Sequence, residues 1–274
     1  MLGQVMRCAV IGDPASHSLS PAIHTAGYVA VGLDWRYEAI DVTPRELSSF
    51  VEGCQADGRW VGLSVTAPHK DAIVEFGEPD EPTRLLGCGN TLVFGEQPLV
   101  RNTDVPGFAL ALERSGAPTP RRVAIVGNGA TARSITLAVA QLGAESIVIV
   151  ARSLERAEGL RKFAAGLGLS AEAQLLSDAL EPVDLLASTV PTLATQPHAR
   201  RWAECATTIF DVVYDPWPTP LGVAASELHR RALSGLDLLA GQAVDQFFWL
   251  TGQRVTFEMC LSAAEQELRR RETL

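Results

Sequence analysis

Lysine is nearly missing from this 274-residue chain: of its 23 lysines and arginines, only Lys70 and Lys162 are lysines. Arginine stays protonated and suits fixed ion pairs, whereas the compact ammonium of a lysine can change protonation when desolvated. Lys162 lies beside Arg161 in the polar run SLERAEGLRKFAA and reads as a solvated side chain. Lys70 closes the apolar stretch VGLSVTAPHK and is a candidate reactive group. Cysteine is sparse as well. Cys8, Cys54, Cys88, Cys205 and Cys260 are odd in number, scattered and never in CxxC spacing, which argues against a disulfide framework or a zinc site and suits a reducing compartment. The five histidines include no HExxH and no close carboxylate pattern, so no metal is expected. A net charge of −9 argues against nucleic acid or an anionic membrane as partner, since both need a cationic face. The pairs Arg121-Arg122, Arg200-Arg201 and Arg230-Arg231 therefore read as solvated surface. No apolar run reaches membrane-spanning length, and MLGQVMRCAVIG lacks the pattern of a secretory signal, so a soluble, cytoplasmic protein is expected. No internal repeat or low-complexity tract is seen, so a solenoid has no support.

What is present is a 47% hydrophobic chain in which short apolar strands alternate with helical segments, the pattern of an α/β fold with a mainly parallel sheet. CAVIG reads as the first strand, and SPAIHTAGYVAVG as a helix with Ser20 as N-cap and Pro21 at its first position. WRYEAIDV, a capped helix TPRELSSFVEGC and the buried strand WVGLSVTAP follow. NTLVF and a hairpin-like segment around Gly95 lead to a helix with Asp104 near its start. The segment SGAPTPRR, rich in proline and small residues, is the expected boundary between two parts of the chain. Beyond it, RRVAIVGNGATARSITLAVAQLG is a strand, glycine turn and helix, and SIVIVARS, DLLASTV and TIFDVVYDP are further strands. The last helical region, from AGQAVDQFFWLTG to SAAEQELRRRETL, is expected to return to the first domain.

Gly127, Gly129 and Ala132 form G-x-G-x-x-A between a strand and a helix, where the glycines permit a tight turn and close approach of a pyrophosphate. A turn needed for packing alone would use the same residues, but the clear strand and helix favour a dinucleotide. The end of the following strand distinguishes the two nicotinamide cofactors. An acid there would bind the ribose hydroxyls of NAD, whereas IVIVARSLER offers Arg152, Ser153 and Arg156 and no acid, which favours NADP. Surface arginines at a helix start are the plainer reading. At the carboxyl ends of the other strands, Ser18 and Ser20 could hold a carboxylate with helix-start amides. Thr66, Lys70, Asn90-Thr91 and Asn102-Thr103-Asp104 add hydroxyl, ammonium, amide and carboxylate groups suited to a small polyhydroxylated acid. Each alone is more often a turn or cap. Reduction of a ketone needs a donor for the developing alkoxide and a charge preorganised beside it, which Lys70 and Asp104 can supply. His69, next to Lys70, reads as solvated.

These motifs, in this order and over nearly the whole chain, resemble the shikimate dehydrogenase family: GDPASHSLSP, SVTAPHK, GCGNT, NTD, GNGATAR, YDPWPTPL and GQAVDQF. The resemblance implies reversible NADPH-dependent reduction of 3-dehydroshikimate to shikimate in aromatic amino acid biosynthesis. It implies two domains, a discontinuous α/β substrate domain (1–105 plus 237–274) and a Rossmann-type NADP-binding domain with a parallel sheet (106–236), and it allows a homodimer. By motif, Ser18, Ser20 and Tyr214 would hold the substrate carboxylate. Thr66, Asn90, Asp104 and Gln242 would bind ring hydroxyls, with Lys70 and Asp104 as the catalytic pair. Gly127, Asn128, Gly129, Ala130, Thr131, Ala151, Arg152, Ser153, Arg156, Val212 and Gly235 would line the cofactor site. The chain departs from the family at Ser64, where N-V-T is common, at Ala151, where N-R-T is usual, and at Asp237-Leu238-Leu239, where glycine and methionine are usual. Two other readings remain: an NAD-dependent quinate/shikimate dehydrogenase, and a non-catalytic module that binds shikimate or a dinucleotide.

Overall fold

The structure is a computed structural model that describes residues 5–273. The chain divides into two compact units, Met1–Gly107 with Leu239–Leu274, and Phe108–Leu238. The first contains β1 (Arg7–Gly12), α1 (Ser20–Val31), β2 (Arg36–Asp41), α2 (Leu47–Ala56), β3 (Trp60–Val65), β4 (Glu78–Pro79), α3 (Glu81–Leu86), β5 (Thr91–Val93) and β6 (Leu99–Arg101), followed by the start of α4 (Asp104–Ser115). Its sheet runs β2-β1-β3-β5-β6-β4. β1 pairs parallel with β2 and β3, whereas β5 runs antiparallel to both β3 and β6, so this sheet is mixed. β1 is buried on both faces, which explains its unbroken apolar run. Successive side chains of a strand point to opposite faces. Ala9 and Ile11 accordingly pack with Leu47, Val51 and Leu63, while Cys8 and Val10 pack with Tyr28, Tyr37 and Phe247.

The second unit contains the rest of α4, then β7 (Arg122–Val126), α5 (Ala130–Gln141), β8 (Ser146–Ala151), α6 (Leu154–Gly166), β9 (Ser170–Leu175), β10 (Val183–Ser188), α7 (Thr192–Thr195), α8 (Ala199–Cys205), β11 (Ala206–Asp211), α9 (Pro220–Glu227) and β12 (Arg231–Leu233). Its sheet order is β12-β11-β10-β7-β8-β9, and neighbouring strands run parallel throughout. The first three strands thus lie to one side in reverse order and the next three to the other, the Rossmann arrangement, with the crossover beside β7. α10 (Gly235–Thr251) then leads back, and α11 (Phe257–Glu272) completes the first unit.

Several local expectations are corrected. SGAPTPRR is not the dividing point: it joins α4 to β7 inside the second unit, because Phe108 already stacks on Phe210 at 4.6 Å. The units part inside α4 and α10. Ser20 is the first residue of α1 and caps nothing with its side chain; its own amide donates to Ser18 Oγ at 3.2 Å. α2 starts at Leu47, later than the sequence suggests, because the Glu46 carboxylate accepts from the amide and hydroxyl of Thr43 and holds a preceding turn. Among the described residues no helix is long and apolar enough to cross a membrane.

Candidate active site

Lys70 lies just beyond β3, and its Nζ donates to Asp104 Oδ2 at 2.5 Å. Its side chain is 17% exposed and that of Asp104 is 6% exposed, so the pair is largely withdrawn from water while one side stays open. Asp104 opens α4, where its amide donates to Asn102 Oδ1 at 3.1 Å. Its second oxygen faces Asn90 Nδ2 at 2.9 Å. The same amide nitrogen lies 2.9 Å from Thr103 Oγ1 and 3.3 Å from Gln242 Oε1. It has only two hydrogens for these three acceptors, and Gln242 is the most distant. Gln242 arrives from α10 because Gly241 and Gly107 let α10 and α4 cross backbone against backbone; a Cβ on Gly107 would collide with the Gln242 amide. Four residues proposed from the sequence, Lys70, Asn90, Asp104 and Gln242, therefore form one polar cluster.

Ser18 and Ser20 follow β1, on the neighbouring strand. Ser18 Oγ donates to Ser20 Oγ at 3.1 Å. Thr66 follows β3, half-buried, with its amide on Ile11 O at 2.9 Å. These residues share the carboxyl edge of β1 and β3, where the chain passes to opposite sides of β1, the usual ligand position in such sheets. His69 is not solvated. It is 1% exposed, its Nε2 lies 2.6 Å from Val42 O, and it anchors the turn that presents Lys70.

Two residues went unrecognised in the sequence. Gln246, one turn after Gln242, donates to Asn90 O at 3.0 Å and Thr91 Oγ1 at 2.8 Å, fixing the segment that carries Asn90. The i, i+4 glutamines of GQAVDQF were the available signal. Its Oε1 lies 3.3 Å from Nε2 of His24, a fully buried ring stacked on Tyr37 at 4.2 Å. Burial pushes His24 down from 6.5 to about 4, opposed by the Gln246 bond. Between those two values the unfolded chain takes up a proton that the folded protein refuses, so stability falls as pH is lowered through that window. The full loss is roughly 3 kcal/mol at 1.36 kcal/mol per pKa unit. Urea unfolding from pH 7 to pH 4.5 is expected to show this slope, and His24→Asn to flatten it.

In the second unit, Gly127 follows β7 with φ 109°. A Cβ there would strike Thr189 Oγ1, so the turn admits only glycine without rearrangement. Gly129 caps α5, and Ala132 is fully buried against the sheet. A cavity of about 1010 Å³ opens here. Gly127, Asn128, Gly129, Ala151, Arg152, Ser153 and Arg156 form one side, with Thr189, Val190, Leu193 and His198 among the other lining residues. Asn128 Nδ2 donates to Arg156 O at 2.7 Å, tying the glycine turn to the first turn of α6, and Ser153 caps α6 by accepting from Arg156 N at 3.4 Å. Ala130 and Thr131 begin α5 but are not among the cavity's lining residues. Val212 and Gly235 adjoin each other elsewhere in this unit, where a Cβ on Gly235 would strike Val212 O. Tyr214 follows β11 beside Gly235 and belongs to this second unit, whereas Ser18 and Ser20 belong to the first.

Residues 10–92 match the family described as shikimate dehydrogenase substrate binding domain, and residues 109–201 match shikimate / quinate 5-dehydrogenase. Shikimate dehydrogenase (NADP(+)) of Moorella thermoacetica is 35% identical over 259 residues, covering 89% of this chain and 88% of that protein. The chain belongs to the shikimate dehydrogenase family. Its fold superposes on the shikimate dehydrogenase of Mycobacterium tuberculosis with TM-score 0.87 and 34% identity, covering 95% of this chain and 99% of the other. The shikimate 5-dehydrogenase of Thermus thermophilus, solved with NADP(H) and shikimate, gives TM-score 0.85 and 28% identity over 96% and 99%. At the positions where this shikimate dehydrogenase family member departs from the usual motifs, Ser64 is buried and accepts from the Tyr37 hydroxyl. Ala151 ends β8 on the cavity wall. Asp237 accepts from the amide and hydroxyl of Ser234 at 2.8 and 3.1 Å, so it secures the start of α10.

Proposed function

We propose that this protein catalyses the reversible NADPH-dependent reduction of 3-dehydroshikimate to shikimate in aromatic amino acid biosynthesis. The observation that carries the reading is the Lys70–Asp104 pair, 2.5 Å apart and joined to Asn90 at a strand edge. Such a pair holds an ammonium in place for a carbonyl oxygen that gains negative charge. The Moorella and Thermus relatives named above support the same substrate and cofactor.

The second unit fits a dinucleotide: Gly127 clears the space a Cβ would fill, the cavity is large enough, and Arg152, Ser153 and Arg156 offer donors where NAD-binding chains place an acid. The residues that hold NADPH would be Gly127 to Thr131, Ala151, Arg152, Ser153, Arg156, Val212 and Gly235. When bound, NADPH supplies the hydride. Ser18 and Ser20 hold the substrate carboxylate, and Thr66, Asn90, Asp104 and Gln242 bind ring hydroxyls. Lys70 stabilises the developing alkoxide and delivers its proton, while Asp104 aims the ammonium. The first unit is thus the substrate domain and the second the cofactor domain, acting on a small molecule. Five free cysteines support a cytoplasmic location, the negative net charge supports independence from nucleic acid and membranes, and a homodimer is the assembly we infer from the family.

NADPH absorbance followed after mixing purified protein with 3-dehydroshikimate tests the reading, with NADH in place of NADPH, and quinate with the oxidised cofactors, run in parallel. Rapid oxidation of NADPH is expected. Turnover with NADH alone would overturn the role of Arg152, and binding of shikimate without turnover of either cofactor would overturn the role of Lys70.

A further inference from the structure

The loop that carries Ser18 is held by the far end of the chain. Arg271, in the last turn of α11, donates from Nη1 to His17 O at 2.6 Å and from Nη2 to Ser18 O at 3.0 Å. Its Nε donates to Glu267 Oε1 at 2.8 Å, so the guanidinium is fixed from behind while its two terminal nitrogens grip consecutive carbonyls. Glu267 is only 15% exposed, and its bonds to Arg270 and then Arg271 push its carboxyl down to about 2. It therefore remains an anion throughout any working pH range. The other half of the loop is fixed independently, because Ala15 N and Ser16 N both donate to Asp41 Oδ1, at 2.6 and 3.0 Å. Ser18 is itself held by the second anchor through its carbonyl, and its hydroxyl donates to Ser20.

We propose that Arg271, oriented by Glu267, is a positioning residue for substrate: it sets the place of the Ser18 and Ser20 hydroxyls and thereby the affinity for the substrate carboxylate. This inference rests on the reading of Ser18 and Ser20 given above. Two hydroxyls bind a carboxylate well only when both oxygens are held at the anion's own spacing, and a small displacement weakens both bonds at once. A planar guanidinium suits this task because it can face two adjacent carbonyls and a carboxylate together. A lysine ammonium has no such fixed fork. Docking of α11 does not depend on Arg271, since Phe257, Cys260 and Ala264 bury its inner face.

The test is steady-state kinetics with shikimate and NADP on five variants of the full chain, with thermal unfolding measured on each. Arg271→Ala is expected to raise the KM for shikimate about tenfold while kcat and the KM for NADP stay within about twofold. Glu267→Gln should move in the same direction by less, and Arg271→Lys should recover only part of the loss. Arg269→Ala, on the exposed side of the same helix, should change nothing. Ser18→Ala separates the two claims. If it raises the KM for shikimate and Arg271→Ala does not, the positioning role is overturned. If Ser18→Ala leaves that KM unchanged, the carboxylate reading itself fails, and this inference falls with it. A lowered melting temperature in Arg271→Ala with unchanged KM would assign the arginine to stability alone, and Glu267→Gln and Arg271→Lys decide the matter should Arg271→Ala not fold.

Discussion

Lys70→Ala is expected to lower kcat about 10²- to 10⁴-fold, the range for loss of a positioned proton donor, with the KM for NADPH unchanged. The ammonium is the only group in the cluster of Lys70, Asn90, Asp104 and Gln242 able to place full positive charge and a proton at a developing alkoxide. Asp104→Asn keeps the shape and removes the charge that aims Lys70, and is expected to cost about 10²-fold in kcat. Because the pair acts as a unit, the double variant should be little worse than the slower single one. Lys70→Arg separates charge from proton transfer, since arginine stays protonated in proteins. Activity well above Lys70→Ala would make Lys70 an electrostatic stabiliser, whereas equal loss would favour proton delivery. Pre-steady-state reduction of 3-dehydroshikimate measures the chemical step directly, and a Lys70→Ala protein with wild-type rates would eliminate the proposed role.

The second large effect concerns the cofactor. Arg152→Ala is expected to raise the KM for NADPH about tenfold to hundredfold, as a charge-assisted bond to a 2′-phosphate is worth roughly 1.5–3 kcal/mol. The KM for NADH should hardly move, because that cofactor carries no phosphate there. Arg152 is exposed at the cavity wall, so the effect should shrink as salt is added and screens the charge. Ser153→Ala would also weaken NADPH binding, but it removes the cap of α6 as well, a loss of about 1 kcal/mol in stability. Comparing NADPH with NADH in each variant separates recognition from folding. An equal rise in both KM values for Arg152→Ala would exclude a phosphate contact.

The sequence carried much of this site because its groups lie just after strands. Strand runs such as CAVIG and VAIV are specified locally by unbroken burial, and the residues that follow them at the sheet edge include Ser18, Lys70, Gly127 and Arg152. The glycine turn was equally legible, because its positive φ and close contacts admit no side chain. The strands β9 and β12 were not legible in this way. SAEAQL and RAL carry little β-branched or aromatic content and become strands through pairing at the sheet's edges.

The amino-acid order by itself determined which chemical groups exist and on which local element each sits: one lysine after an apolar strand, one aspartate opening a helix, arginine and serine where an acid could have been. Only the tertiary structure decided which of them meet. Asn90 and Gln242 are 152 residues apart and come together because two glycines let α10 and α4 cross closely. His24 and Gln246 meet across 222 residues, and Arg271 reaches Ser18 across 253. Such contacts depend on helix packing and on the chain's return to the first unit. No local propensity encodes them, because a residue's neighbours in sequence fix its backbone preference but not the partner its side chain will find.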